Sequence, residues 1–523
     1  MDPADITQLL SQQIKEEDPG IAVGIVRNGQ LVYEHHLGYA NLDHQVPVDA
    51  QTRFNIASNA KQFTALCILR LIEKGQISLE DDIRTYFPDL YPQIEEPITI
   101  SQLLAHTSGV RDYCDLLALT GNTWWRQFVD NGDVMEMMRK QTDLNFPPGT
   151  EFLYSNSNYI LLAEIVQQVS GQAFHEFAKA QFEALDMPNT AFQTHYGEII
   201  PHRARPYGQW NVWRDEPTIT EVHGDGALYT TLRDQLRWEQ VLQANDGSYL
   251  SQQLINQSQA PLQGSYGYGV EFRDLSGWAY TFHDGVTGAY RATFLRFPSQ
   301  QLSIVVMSNN RNVQANNLAW EIAALVGELP ENQANAPYPG NPETVETLTQ
   351  IQEVVGSYQQ EDGTIIRITE RDGFLYRELY QREPVKLIPE QGGLFEYETI
   401  KDLKMNFTGV GTSEQQFTLY LSSQPPNTYR KLSQAEEGTF DKAALNGRFY
   451  NAETDTEIIL KFVEGDTYSL TKNGRERQAK LIVADYLRMM DTYKIHVIRD
   501  EANEVVGLNV DRDRIRNVIF KRS

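Results

Sequence analysis

The chain has 523 residues, enough for roughly three domains, and 41% of them are hydrophobic and 11% aromatic. That composition supports a sizeable core and excludes a disordered chain. A formal net charge of −25 without any Lys/Arg-rich run excludes nucleic acid as an expected partner.

Two cysteines, Cys67 and Cys114, offer no disulfide framework, and neither Cys nor His falls at zinc-ligand spacing. Asp, Glu and His do not cluster at ligand spacing either, so no metal and no cofactor is expected. No stretch is apolar for long enough to span a membrane. The start, Met1-Asp2-Pro3-Ala4-Asp5, lacks the basic and apolar regions of a signal peptide. This reads as cytoplasmic as written, or as periplasmic or secreted if a signal has been removed. The oligomeric state is left open.

In chain order, residues 4–17 read as an amphipathic helix with Ile6, Leu9, Leu10 and Ile14 at helical spacing. Two apolar runs follow, Ile21–Val26 and Gln30–Glu34, separated by Asn28-Gly29, which predicts an antiparallel hairpin. Then comes Ser58-Asn59-Ala60-Lys61 at the head of a long apolar helix that stops at Gly75. A spacing of three places both side chains on one face, so the lysine nitrogen reaches the serine hydroxyl. That is the arrangement that activates a weak nucleophile. The helix dipole at this end favours developing negative charge.

Residues 99–109 predict a short helix starting after Thr99 or Ser101 and ending in a turn at Gly109. His106 within it reads as a buried histidine satisfying backbone groups. Residues 112–146 read as helical core, and Pro147-Pro148-Gly149 ends them. Tyr154 and Asn156 lie in a polar loop before a helix that runs to Ser170-Gly171. A tyrosine can shuttle a proton there, and an asparagine can donate and accept one hydrogen bond each to a substrate amide. Residues 223–243 form a Gly-rich turn and a helix capped by Thr230 or Thr231, without either nucleotide-binding glycine pattern. Residues 278–310 alternate as strands around His283-Asp284-Gly285-Val286-Thr287-Gly288, with glycines that permit close approach to a ligand.

Residues 331–344 are a linker by composition. Beyond it two β-modules are expected, 345–432 and 440–523. The run Val355-Gly356-Ser357-Tyr358 is echoed by Leu445-Asn446-Gly447-Arg448-Phe449-Tyr450, and each module should close as a small antiparallel barrel.

Four motifs in order carry a resemblance. Ser58-Asn59-Ala60-Lys61, Leu103-Leu104-Ala105-His106-Thr107-Ser108-Gly109, Pro148-Gly149-Thr150 through Tyr154-Ser155-Asn156, and His283-Asp284-Gly285 look like those of the penicillin-recognising serine hydrolases. Within them the chain resembles the branch of class C β-lactamases, D-alanyl-D-alanine carboxypeptidases, D-aminopeptidases and related esterases. The resemblance covers about residues 5–325. It implies a mixed α/β (α+β) domain over residues 1–330: a β-lactamase/transpeptidase-like antiparallel sheet flanked by helices, with a helical subdomain beside it.

The resemblance also implies roles. Ser58 forms the acyl-enzyme, Lys61 lowers the barrier to deprotonating it, and Tyr154 relays the proton. Asn156, His283 and Gly285 line the substrate. The backbone N–H groups of Ser58 and Val286 form the oxyanion hole. One departure matters: His283-Asp284-Gly285 stands where β-lactamases carry Lys-Thr-Gly, so the fixed charge that holds a substrate carboxylate is missing. The His-x-Gly form occurs among D-aminopeptidases, some peptidases and esterases, and the three-domain layout resembles D-aminopeptidases. The expected function is therefore a serine hydrolase of small amides or peptides. The alternatives are a carboxylesterase, or a carboxypeptidase or penicillin-binding protein that deacylates slowly. Asp485 and Asp491 are offered as acids that select a free amino terminus from the barrels.

Overall fold

The computed structural model describes residues 3–275, 278–327, 351–360, 363–378, 383–390, 394–398, 400–421, 424–433, 441–490 and 492–523. The expected linker, 331–344, and Asp491 lie outside them. The chain divides into two units, Met1–Pro330 and Glu331–Ser523.

In the first unit the Asn28-Gly29 turn is explicit, with φ of 53° and 72° at its two residues. Both values are left-handed, as the tight hairpin turn matched to strand twist requires. It joins strands Ile21–Arg27 and Gln30–Leu37. These continue a seven-stranded antiparallel sheet whose other strands come from the far end of the unit. In order across the sheet they are Tyr266–Gly267, Val270–Leu275, Trp278–Thr287, Tyr290–Phe297 and Leu302–Ser308, and the last pairs with Ile21–Arg27.

Strand alternation sorts the side chains onto two faces. Ile21, Val23, Ile25, Leu295, Phe297, Ile304 and Val306 pack with the helices Pro3–Gln13 and Ala315–Val326. Each such buried aliphatic contributes about 1.5–3 kcal/mol. On the other face, Gly24 lets helix Leu232–Ala244 close in, since a Cβ there would sit 2.5 Å from Leu236 Cδ1. That helix is capped by Thr231, whose hydroxyl accepts from Asp234 N–H.

The nucleophile helix, Lys61–Glu73, is held beneath the sheet by a buried polar network. Arg296 on the sheet donates to both carboxylate oxygens of Glu239 at 2.7 Å, and the two side chains are only 5% and 2% exposed. The same guanidinium donates to Gln62 Oε1 at 2.7 Å, which also accepts from Trp238 Nε1 at 2.7 Å. One ion pair thus ties strand, helix Leu232–Ala244 and the residue after Lys61. Helices Ile100–Leu104, Tyr113–Leu119, Asn131–Arg139, Asn156–Ser170 and Phe174–Ala184 make up the helical part. The first starts at Thr99 with a capping box to Gln102, and Asn156–Ser170 ends at Gly171 with φ 69°.

The second unit holds two closed eight-stranded antiparallel barrels in sequential strand order. The first runs from Gly356–Gln359 to Gln424–Lys431 and closes where Tyr358 pairs with Lys431. The second runs from Gly447–Asn451 to Ile515–Arg522 and closes where Phe449 pairs with Arg522. Tyr358 and Phe449 each follow the repeated glycine by two residues, and both are fully buried. The faint sequence echo is therefore one closure geometry used twice. Asp485 accepts two hydrogen bonds from Arg499 of its own barrel, at 2.7 and 2.8 Å.

Glu239→Ala strands a buried guanidinium and should cost about 3–5 kcal/mol of unfolding free energy. Urea denaturation of the full chain reads this as a lower midpoint for the first unit. An unchanged midpoint would show that Gln62 and Gln259, whose Oε1 atoms accept from Arg296 at 2.7 and 3.3 Å, suffice as its partners.

Candidate active site

Ser58 lies in a short 3-10 turn, Ala57–Ala60, that runs directly into helix Lys61–Glu73. The backbone is forced into place ahead of it. Ala57 has φ 50°, a left-handed conformation that costs a non-glycine residue about 1 kcal/mol or more. Its N–H is caught by Asn55 Oδ1 at 2.8 Å. Ser58 itself is half-buried and so reachable, while Lys61 is 0% exposed.

Lys61 Nζ donates to three acceptors: Ser58 Oγ at 3.2 Å, Asn156 Oδ1 at 2.9 Å and the main-chain oxygen of Asp225 at 2.7 Å. Three acceptors match the three protons of an ammonium. The Asp225 segment is stapled along the nucleophile segment. Thr64 Oγ1 donates to Gly224 O at 2.6 Å, and Ile56 N–H donates to Leu228 O at 3.0 Å. Gly224 has φ 108°, and a Cβ on it would meet Ala163 Cβ at 2.7 Å. Only glycine fits there.

Tyr154 is half-buried, with Lys61 Nζ 5.0 Å from its ring centroid. Its ring lies 4.3 Å from that of His106, centroid to centroid. His106 is fully buried and its Nδ1 accepts from Ser155 N–H at 3.2 Å. That is the structural task expected of it from the sequence. Ser155 and Asn158 are also fully buried, and Asn158 accepts from Ser108 Oγ at 2.7 Å, so both serve packing behind the Tyr-x-Asn turn. Asn156 is held by its main chain, whose N–H donates to Asp112 Oδ2 at 2.7 Å. Its Oδ1 is taken by Lys61, and its Nδ2 contacts Cys114 Sγ at 3.7 Å. Of the donor and acceptor expected to face substrate, the acceptor already has a partner.

The strand Trp278–Thr287 forms the opposite wall. Its neighbour, Val270–Leu275, pairs with it only from Trp278 to Phe282. Among the described strands, none covers that edge of His283–Thr287. This is where the strand meets the nucleophile turn: a Cβ on Gly285 would lie 2.1 Å from Ile56 O and 3.3 Å from Ala57 Cβ. Val286, next along the edge, has a side chain 59% exposed. The uncovered edge thus lies directly against the turn that carries Ser58.

His283 is 3% exposed. Its Nδ1 lies 2.8 Å from Asp284 O, a carbonyl that can only accept, so Nδ1 carries the proton. In the neutral ring Nε2 then accepts from the Tyr266 hydroxyl at 3.0 Å. Burial, foremost, keeps the Tyr266 phenol well above its ordinary range, so it keeps its proton. Asp284 points to the other side of the sheet, where its carboxylate accepts from Thr293 Oγ1 and Asn316 Nδ2 at 2.7 and 3.1 Å.

Of the residues expected from the sequence, Ser58, Lys61 and Asn156 are bonded together with Tyr154 beside Lys61, the His283 ring lies 6.1 Å from that of Tyr154, and Gly285 meets the nucleophile turn; Val286 is next to Gly285 on the strand edge. Sequence reasoning missed Asp112, Tyr266 and Asp225. Asp112 is legible afterwards as the N-cap of Tyr113–Leu119. Asp225 stands between two glycines in a segment read only as the approach to a helix. Among the described residues, no group of His, Cys, Asp and Glu could hold a metal ion.

With this geometry in hand, likeness to known proteins is informative. The Beta-lactamase family model matches residues 6–328. Penicillin-binding protein 4* of Bacillus subtilis (strain 168) is 26% identical over 420 residues, which span 75% of this chain and 90% of that protein. Among solved structures, the octameric penicillin-binding protein homologue from Pyrococcus abyssi aligns over 100% of both chains, with 21% identity and a TM-score of 0.57. The D-amino acid amidase from Ochrobactrum anthropi SV3, complexed with L-phenylalanine, aligns over 62% of this chain and 98% of its own, with 19% identity and a TM-score of 0.51. These two share the fold. No helix among the described residues is long and apolar enough to cross a membrane.

Gly285→Ala should push the nucleophile turn away from the strand edge and lower kcat on a p-nitrophenyl ester by about 10²-fold, the scale of losing one oxyanion donor. Stopped-flow acylation rates check it. Unchanged acylation would show that the strand retreats without disturbing Ser58.

Proposed function

The chain belongs to the beta-lactamase family, whose members are serine hydrolases, and from that premise we propose that it hydrolyses small amides or peptides bearing a free amino group, as D-aminopeptidases do. The observation that carries the chemistry is the 3.2 Å contact between a buried, three-times-bonded Lys61 and Ser58 Oγ.

Lys61 Nζ, with an acceptor for each of an ammonium's three protons, stands beside Ser58 Oγ as a source of positive charge. A charge at that distance in a poorly hydrated site lowers the energy of the serine alkoxide. The displaced proton is relayed through the Tyr154 hydroxyl, which flanks the same ammonium: its oxygen takes up the Ser58 proton as its own proton goes to the leaving nitrogen and the C–N bond breaks. The oxyanion is taken up by the N–H groups of Ser58 and Val286. Asn156 presents its amide nitrogen to the substrate carbonyl. In the second half-reaction water attacks the acyl carbon, its proton is relayed through the Tyr154 hydroxyl to Ser58 Oγ, and the acyl–Oγ bond breaks to release the acid and restore Ser58.

The amine preference is supported from the other wall. The side chain at 283 is an imidazole with both nitrogens bonded inside the protein, one to Asp284 O and one to the Tyr266 hydroxyl. It offers no fixed cation to a substrate carboxylate, which weighs against a carboxypeptidase or a penicillin target. The fold neighbour from Ochrobactrum anthropi SV3 is named a D-amino acid amidase. The C-terminal pair of barrels is consistent with the three-domain D-aminopeptidase layout.

Turnover of D-alanine p-nitroanilide beside its N-acetyl counterpart tests this directly. The free amine should be cleaved and the acetylated compound spared, with Ser58→Ala inactive and Lys61→Ala nearly so. Cleavage of a p-nitrophenyl ester alone would make the protein a carboxylesterase. A burst without turnover would make it a penicillin-binding protein.

A further inference from the structure

We propose that the Asp225 carboxylate is the counter-ion for the substrate's α-ammonium and is the residue that selects a free amino group. The inference rests on the aminopeptidase reading and gives it a residue.

Position comes first. The Asp225 main-chain oxygen is 2.7 Å from Lys61 Nζ, itself 3.2 Å from Ser58 Oγ. The bonds from Gly224 O to Thr64 and from Leu228 O to Ile56 fix the segment on either side. The Asp225 main chain and Ser58 Oγ thus share one partner, Lys61 Nζ. In an aminopeptidase substrate the ammonium sits on the carbon bonded to the scissile carbonyl. Once that carbonyl rests against Ser58, only a group anchored beside the nucleophile can pair with the charge.

Spare capacity comes second. Among side chains, the Asp225 carboxylate is met by the Tyr113 hydroxyl, 3.4 Å from Oδ2, a long bond; its own N–H is the other hydrogen-bond donor to it. Among the described residues no Lys, Arg or His nitrogen forms an ion pair with it. Loss of hydration raises its proton affinity, against the pull of Lys61, so an arriving cation would complete its environment. Among the described residues, three other acids considered for this role already have partners. Asp112 accepts from the N–H groups of Cys114, Asp115 and Asn156. Asp284 bonds Thr293 and Asn316, and Asp485 bonds Arg499.

Charge balance comes third. The α-ammonium must approach Lys61, a like charge in a site with little water, and repulsion there is strong. A carboxylate beside both offsets it. An N-acylated substrate brings no charge to balance and leaves the carboxylate unpaired, which disfavours it.

The test is Asp225→Asn, which keeps the main-chain oxygen that Lys61 uses. Rates are taken per burst-titrated Ser58, so misfolded protein does not count. The ratio of kcat/KM for D-alanine p-nitroanilide to that for p-nitrophenyl acetate should fall about 10- to 100-fold, mainly through KM. Asp225→Glu should recover part of it. If both substrates fall together and the ratio holds, Asp225 serves Lys61 and the proposal is wrong, although the aminopeptidase reading survives. If the wild-type enzyme does not favour the free amine over its N-acetyl form, that reading fails and the proposal with it.

Discussion

An ammonium removed from water must find an acceptor for each of its protons, and the arrangement around Ser58 follows from meeting that demand for Lys61. An unpaired buried charge would cost several kcal/mol. Here the three acceptors come from three separate parts of the chain: the hydroxyl of Ser58, the amide of Asn156 and the main chain of Asp225. Each is held in turn. Asn156 is tethered through Asp112, and Asp225 lies in a segment tied to Thr64 and Ile56. The lysine therefore does two things at once. It fixes the relative positions of helix, loop and nucleophile, and it keeps a positive charge where the alkoxide forms.

The sheet adds the second constraint, close approach. Two glycines let it press on the nucleophile segment. Gly285 brings the uncovered strand edge against Ile56, and Gly269 sits where a Cβ would be 2.4 Å from Gln62 N. The Arg296–Glu239 pair, also bonded to Gln62, holds the same helix from the side of the core. Reactive geometry at Ser58 is thereby referred to the rigid sheet. The strained φ of Ala57 persists because its surroundings over-determine it.

Much of this was legible in the sequence where a side chain carries the signal. The Ser58/Lys61 spacing, the Asn28-Gly29 turn, the Thr99 and Thr231 caps and the buried role of His106 follow from local rules. So do the two β-modules, whose repeated glycine sets the barrel closure at Tyr358 and Phe449. What was not legible is carried by backbone and by distance along the chain. The third acceptor of Lys61 is a main-chain oxygen, and any residue type at 225 would supply it. The pairing of Ile21–Arg27 with Leu302–Ser308 joins segments from opposite ends of the unit. The helix expected over residues 4–17 ends at Gln13, and Ser58 sits in a 3-10 turn ahead of the helix rather than inside it. In both cases periodicity finds the helix but not the residue at which the hydrogen-bond pattern changes.

The proposed chemistry requires that Ser58 Oγ be the acylated atom. The decisive measurement is rapid quenching of the full-length enzyme with a p-nitrophenyl ester, followed by intact and peptide mass spectrometry. The account predicts one acyl group per chain, on the peptide containing Ser58, formed at the burst rate and absent in Ser58→Ala. Turnover without that adduct, or an adduct on another residue, would contradict it.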